Sequence, residues 1–466
     1  MQIKLFNTMG RKKEEFKPLN SGEVKLYACG PTVYSYAHIG HFRAYIFVDT
    51  LVRMLKFNGL KVTHVMNITD VGHLTDDASQ GEDKIEKAAK KESKTVWEIA
   101  EFYTKDFFSA MEKLNVRKPD IVCKATDHIQ DMIDLIKKIE ENGYTYKTSD
   151  GIYFDTSKLS DYGKLAGLNI EGLKEGARIE KNPEKKNPTD FALWKFAKEG
   201  EKRQMEWNSP WGPHSFPGWH IECTAMSMKY LGEVYDIHTG GVDHIPVHHT
   251  NEIAQAEAAT GKEFVHYWLH NEFVNIDGEK MSKSKGNIYN MNDIEGKGFD
   301  SLSLRYLFLT AHYRSKINFT WDSLKAAENT LNTLREHMRL LQKTDKKKSD
   351  QKKIKNYKTK FLEFINDDLN TTEALSLMWR LIREEKEINN KNKYELILEF
   401  DKVFGLKLNE IKIEEKIPKE IQQLVNERKE ARKNKDYQKA DEIREKIRKI
   451  GYELQDATDG IKIRKI

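Results

Sequence analysis

The chain has 466 residues, more than one ordinary core of roughly 100 to 200 residues can absorb, so three or four packed units are expected. Hydrophobic residues at 38% and charged residues at 32% exclude a disordered chain, and apolar stretches such as Tyr45 to Leu55, interrupted by Asp49 and Arg53, fall short of the roughly 20 residues that span a bilayer. The net charge of +5 is uneven: nine Lys face two Asp across 343–360, and fifteen Lys or Arg face eleven acids from Glu415 onward, which leaves the rest of the chain acidic. A polyanionic partner at the C-terminal third would explain this, and solvated linkers and helix faces would explain it equally. The N-terminal segment lacks the apolar core and small-residue cleavage site of a signal peptide, so a cytoplasmic location is expected. Cys29, Cys123 and Cys223 are too few and too scattered for a disulfide framework and are expected to be reduced thiols.

In chain order, Val24 to Ala28 reads as a strand that stops at Cys29-Gly30-Pro31, and Tyr36 to Asn58 has the apolar spacing of a helix. Lys61 to Ile68 reads as the next strand, so the beginning predicts a parallel, doubly wound α/β sheet with ligands at the strand C-terminal ends. From Asp120 the pattern changes to an amphipathic helix over 127–142 and a hairpin turning at Asp150-Gly151, with irregular edges over 182–189 and 208–218, which together predict an insertion. The α/β pattern then resumes: a helix over 218–230, a strand over 234–238, a turn at Gly240-Gly241 and a helix over 247–259. After Trp321 amphipathic helices predict a bundle, with the lysine-rich 343–360 as an exposed loop or frayed helix. Two more helices over 419–434 and 436–449 and a hairpin turning at Asp459-Gly460 close the chain. The expected division is 1–119 and 216–324 for the two halves of the α/β unit, 120–215 for the insertion, 325–412 for the bundle and 413–466 for a small α+β unit.

Three constellations carry chemistry. His38-Ile39-Gly40-His41 stands where the first strand gives way to the first helix, so two imidazoles three apart share a face and Gly40 lets a flat base or a phosphate approach the backbone. Lys280-Met281-Ser282-Lys283-Ser284 is a small-residue loop whose lysines can close over a triphosphate and neutralise departing pyrophosphate. Each alone would pass for surface histidines or a solvated basic turn. The third is Cys29, Cys223, His248 and Glu252: the last two lie four apart on one helix face, and two thiolates, an imidazole and a carboxylate suit zinc. The same cysteines would also serve as small core residues, the reading kept for Cys123.

The first two motifs, in this order, resemble the signature pair of class I aminoacyl-tRNA synthetases. The segments Tyr27-Ala28-Cys29-Gly30-Pro31-Thr32-Val33-Tyr34, Gly218 to Cys223 and His248-His249-Thr250-Asn251-Glu252-Ile253-Ala254-Gln255 resemble the cysteinyl-tRNA synthetase family, and the likeness extends along essentially the whole chain. That resemblance implies a Rossmann-like catalytic domain with an inserted connective domain, a helical bundle and a C-terminal anticodon-binding domain. It implies one zinc on Cys29, Cys223, His248 and Glu252 that binds the substrate sulfur, so no editing domain is expected, because a soft thiolate is separated from a serine hydroxyl far better by a metal than by shape. It further implies ATP with magnesium as substrate, handled by His38, Gly40, His41 and Lys280 to Ser284. L-Cysteine would lie beside Thr69, Trp219 and His238, tRNA(Cys) would be contacted at its anticodon by Arg432, Tyr437, Asp441 and Asp456, and the chain would act as a monomer. The sequence departs from the family pattern at Val247 and Thr250 around the His pair, in the inserted Gly72 to Glu82, and at Tyr437, where relatives commonly carry Trp and where a flat aromatic face is retained. A ligase joining cysteine to an amino sugar would lack the C-terminal unit, a non-catalytic RNA-binding zinc protein would not need the phosphate-handling motifs, and a metalloprotease would need a paired-His helix motif that His248 and Glu252 do not form.

Overall fold

The computed structural model describes residues 2–72, 83–167, 183–197, 200, 203–282, 286–343, 347–411, 418–457 and 460–465, and divides into two compact units, Met1–Asn409 and Glu410–Ile466. The centre of the first unit is a parallel sheet of β1 (Glu23–Ala28), β2 (Lys61–Ile68), β3 (Ile121–Lys124), β4 (Tyr235–Gly241) and β5 (Val265–Asn271). Its spatial order is β5-β4-β1-β2-β3, with every pair parallel. Strand order therefore reverses between β1 and β4, and a doubly wound sheet opens a ligand crevice at the strand C-terminal ends beside such a reversal. The register there sets Ala28 beside Thr239 on one side and Met66 on the other.

Most residues of β2, β4 and β5 are buried, polar ones such as Asn67, His238 and His270 included, as in a parallel sheet covered on both faces. The helix α1 (Ile39–Phe57) links β1 to β2, α2 (Trp219–Leu231) leads into β4, and α3 (Thr250–Thr260) links β4 to β5. Between β3 and α2 the chain forms the helix Ile129–Glu141 and a five-stranded sheet, in spatial order Thr145–Thr148, Gly151–Phe154, Phe191–Phe196, Gly212–Pro217, Trp207–Ser209. The expected irregular edge over 208–218 is thus largely a hairpin, in which the Ser215 hydroxyl donates to Trp207 O at 2.8 Å. Four helices, Trp321–Leu341, Gln351–Asn366, Thr371–Arg383 and Asn390–Phe404, follow the α/β region. Most of the lysine-rich run is ordered helix, not loop: Asp350 caps its N-terminus by accepting from the backbone N–H groups of Lys352 and Lys353.

A buried charge cluster ties α1 to distant parts of the same unit. Asp49, with no side-chain exposure, accepts from Arg53 Nε at 2.6 Å and from Arg305 Nη2 at 2.5 Å, and Arg305 Nε donates to Phe404 O at 2.6 Å. Burial raises the pKa of Asp49, but the two guanidinium groups outweigh it and hold the carboxyl below its usual range. Beside this cluster a cavity of about 390 Å³ is lined by Tyr45, Lys56, His64, Arg117 and Asp120, among others. The second unit is the helix pair Lys419–Lys433 and Tyr437–Lys449 with a hairpin of Tyr452–Ala457 and Gly460–Lys465, packed around Ile421, Leu424, Ile443, Ile447 and Leu454. No helix among the described residues is long and apolar enough to cross a membrane.

Candidate active site

At the end of β1 the chain turns through Cys29 and Gly30. Asn67 on β2 holds that turn, its Oδ1 accepting from Gly30 N–H at 2.7 Å. A Cβ on residue 30 would overlap the Asn67 carbonyl oxygen, so the close approach requires glycine. From the other side α2 starts at Gly218 and brings Trp219, His220, Glu222 and Cys223 into the crevice within its first turns. β4 extends through Gly241, so Gly240-Gly241 is strand and not the expected turn, and Val242–His244 follows it as a short helical turn. Ile245–His249 then forms a π turn running into α3. Such single wide turns concentrate at functional sites because they rotate side chains out of the regular helical positions.

The ligand atoms of Cys29, Cys223, His248 and Glu252 all lie within 4.8 Å of one another. Cys223, His248 and Glu252 are buried, and Cys29 is partly exposed at the crevice. Zinc bonds of about 2.0–2.3 Å imply ligand separations of about 3.3–3.8 Å in a tetrahedron, so the four fit with little closure. Cys29, His238, His249 and Glu252 form a second such group that shares two members. His248 Nε2 is 3.0 Å from Glu252 Oε1 while its Nδ1 meets His220 Nδ1 at 2.9 Å, the outer contact that fixes a ligating ring. His249 is held in the same way, by Nδ1 to His270 Nε2 at 2.8 Å with His270 Nδ1 in turn meeting Thr8 Oγ1 at 2.8 Å, and its Nε2 lies 3.3 Å from Cys29 Sγ. His238 Nε2 donates to Glu252 Oε2 at 2.9 Å and its ring stacks on Trp268 at 4.7 Å.

The charges follow from this crowding. Burial and the neighbouring Cys223 and Glu252 push the Cys29 thiol well up. Burial opposes a charged His248, but Glu252 and Cys223 prevail and push it up to about 10. Burial also opposes an ionised Glu252, yet His238 and His248 hold it below its usual range. The centre thus pairs a readily protonated His248 with the carboxylate of Glu252, a place among the donors that a metal ion could take instead.

Trp219 packs on the His248 ring at a centroid distance of 4.6 Å, which sets this sequence-predicted neighbour of the substrate against the donors, and Thr69 Oγ1 donates to Glu222 Oε2 at 3.0 Å. The His38 to His41 motif differs in detail from expectation. His38 is not on the helix face; it is the extended residue that caps α1, its backbone N–H donates to His41 Nδ1 at 3.2 Å, and the two rings stack at 3.7 Å. His41 faces solvent in part, yet the protein crowded around it and the nearby His38 and His244 lower its pKa. The two signature motifs meet: a Cβ on Gly40 would stand 2.5 Å from the Met281 methyl, and Ile39 N–H donates to Tyr289 O at 2.9 Å. Lys280 is exposed at the end of the short strand Glu279–Lys280, and Asn287 pins the following turn by accepting from Ser282 N–H at 2.8 Å. Lys283 and Ser284 lie outside the described residues, as does most of Gly72 to Glu82.

Residues 15–329 match the family model described as tRNA synthetases class I (C) catalytic domain, and residues 414–464 match the cysteinyl-tRNA ligase anticodon binding domain. The chain is 48% identical to the cysteine–tRNA ligase of Treponema denticola over 98% of both chains, and 46% identical to cysteine–tRNA ligase 1 of Burkholderia lata over 99% of this chain and 96% of that one. The chain belongs to the cysteine–tRNA ligase family. A solved methionyl-tRNA synthetase of Mycobacterium tuberculosis in complex with methionyl-adenylate has the same fold, with a TM-score of 0.58 at 15% identity over 82% of this chain and 90% of that one.

Of the residues that the family resemblance assigns to the anticodon, Arg432 ends the helix Lys419–Lys433, Tyr437 opens the next helix with 60% exposure, and Asp441 is exposed on that helix. The side chain of Asp456 lies outside the described residues. Sequence reasoning missed His220, Glu222, His244, His249 and His270 as members of the centre. His270 was findable, since it lies near the C-terminal end of a core strand where ligands of a doubly wound sheet gather. Cys123 stays a core residue, 2% exposed, its thiol pushed up to about 12 chiefly by burial.

Proposed function

We propose that this chain attaches cysteine to tRNA(Cys) with ATP, and that Cys29, Cys223, His248 and Glu252 hold one zinc ion for that purpose. The convergence of these four donors at the strand-order reversal carries the proposal. When bound, zinc supplies a soft Lewis acid that accepts a thiolate in strong preference to a hydroxyl, which makes a separate editing step against serine unnecessary. His220 orients the ring of His248 from behind, and Trp219 walls the amino-acid pocket. Thr69 and His238 complete that pocket from β2 and β4.

The cysteine carboxylate attacks the α-phosphate of magnesium-bound ATP, giving cysteinyl adenylate and pyrophosphate. Gly40 leaves the backbone at the start of α1 open to the nucleotide, His38 and His41 face the phosphates, and Lys280 and Lys283 neutralise charge on the departing pyrophosphate. A ribose hydroxyl at the tRNA 3′ end then attacks the activated carbonyl and releases AMP, so no side chain acts as a covalent nucleophile. The match of residues 414–464 to an anticodon-binding model supports tRNA over an amino sugar as acceptor. Arg432, Tyr437, Asp441 and Asp456 read the anticodon in this assignment, and the chain works as a cytoplasmic monomer. Stoichiometric zinc together with aminoacylation of a GCA-anticodon tRNA by cysteine and not serine is the expected result. Equal loading of serine, or full activity without metal, would overturn the assignment.

A further inference from the structure

His244 lies just beyond β4, in the short turn Val242–His244. Its ring is 5.0 Å from that of His248, 5.1 Å from His249 and 6.3 Å, edge-on, from Trp219. It is also near enough to His41 to depress the basicity of that ring. His244 thus stands between the sulfur-binding donors and the phosphate-handling histidines. Its Nδ1 is buried and has no hydrogen-bond partner among the described residues, and its Nε2 comes no closer than 4.0 Å to Asp243 Oδ2. Gly240 makes room for it: a Cβ there would be 2.9 Å from Nδ1. A buried ring nitrogen without a partner is unfavourable unless a ligand supplies one.

Three bonds separate the sulfur of cysteine from its carboxyl carbon, a reach of about 4 Å. With sulfur at the four donors, the carboxylate falls in the zone where His244 stands. We propose that His244 Nδ1 donates a hydrogen bond to the α-carboxylate of the bound cysteine and holds it for attack on the α-phosphate. This rests on the reading of Cys29, Cys223, His248 and Glu252 as the sulfur-binding centre. No residue assigned above fills this role, since Thr69 is engaged with Glu222 and the lysines serve the pyrophosphate end.

The test compares His244→Leu, which removes the donor, with His244→Asn, which restores an N–H near the Nδ1 position. Cysteine-dependent pyrophosphate exchange is measured with cysteamine as competitor, because cysteamine has the thiol and the ammonium but no carboxylate. A charge-assisted hydrogen bond predicts that H244L raises KM for cysteine about tenfold or more, leaves inhibition by cysteamine within about twofold and keeps stoichiometric zinc, while H244N recovers most of the loss. An unchanged KM, an equal loss for cysteamine, or loss of zinc in H244L would overturn the proposal. A wild-type protein without zinc and insensitive to cysteamine would instead sink the underlying reading of the four donors.

Discussion

In the proposed zinc centre, replacing Cys223 by Ser removes one donor while changing a single atom. The donors lie within 4.8 Å of one another, and two anions at that distance repel by about 3.5 kcal/mol at an effective dielectric of about 20. A cation beside them, the protonated His248 or a bound metal, is therefore what allows Cys223 and Glu252 to be ionised together. A serine hydroxyl keeps its proton at neutral pH and does not reach as far, so the fourth bond is lost. Zinc sites of this kind are worth about 10–16 kcal/mol, or about 2.5–4 kcal/mol for each of four ligands, which corresponds to an affinity about 60- to 700-fold weaker. At free zinc about 100 times the wild-type Kd, the metal stabilises the wild type by about 2.7 kcal/mol, and a variant weakened about 100-fold by only about 0.4 kcal/mol. Calorimetric melts at buffered free zinc should show a clear zinc-dependent rise in Tm for the wild type and almost none for C223S. Metal content and cysteine-dependent pyrophosphate exchange should fall together. Wild-type zinc content and an undiminished thermal shift in C223S would refute the assignment of Cys223 as a ligand.

Lys280→Ala should slow single-turnover adenylate formation by about 10²-fold, while transfer from preformed adenylate to tRNA proceeds normally; an unaltered first step would remove Lys280 from the pyrophosphate end. His64 is 5% exposed, and burial, only partly offset by Asp120 and Asp49, lowers its pKa to about 4. The unfolded chain, in which this ring titrates near 6.5, then binds the extra proton first, so His64 lowers stability as pH falls from 6.5 to 4, by up to about 3 kcal/mol. Urea melts of His64→Gln across that window should be correspondingly flatter than those of the wild type, and parallel curves would contradict the buried, neutral state. Tyr437→Ala should weaken tRNA binding about 5- to 150-fold through loss of base stacking. Pyrophosphate exchange, which needs no tRNA, serves as the folding control, and unchanged tRNA affinity would exclude Tyr437 from the anticodon contact.

Three strands of the central sheet were legible as short β-type runs, and β2 spans Lys61–Ile68 as its pattern predicts, whereas β3 and β5 were not read from the sequence. Places where the reading failed share a physical cause. Gly240-Gly241 looks like a turn by local preference, but β4 is extended there because both residues pair in parallel with His270 and Asn271 of β5. The lysine-rich run looks unstructured by composition, yet from Asp350 onward it has a capped helix whose Phe361 and Ile365 are fully buried. Tertiary pairing and burial decided both segments, and neither is visible in a local window.

The active centre was legible only in part, for a related reason. Cys29, Cys223, His248 and Glu252 announce themselves as donor types, but nothing in their spacing says that β1, α2 and the π turn deliver them to one point. Geometry adds what spacing lacks: His248 has His220 behind it and His249, its immediate neighbour, has His270 behind it, so both rings turn Nε2 toward the donors. The one whose far nitrogen is held by His220 offers its near nitrogen beside Glu252, and the one bound to His270 braces the wall behind Cys29, 3.3 Å from its sulfur. Both rings come from the wide turn at Ile245–His249, which runs directly into the helix that carries Glu252. The π turn thus brings both His248 and His249 to the same group of donors.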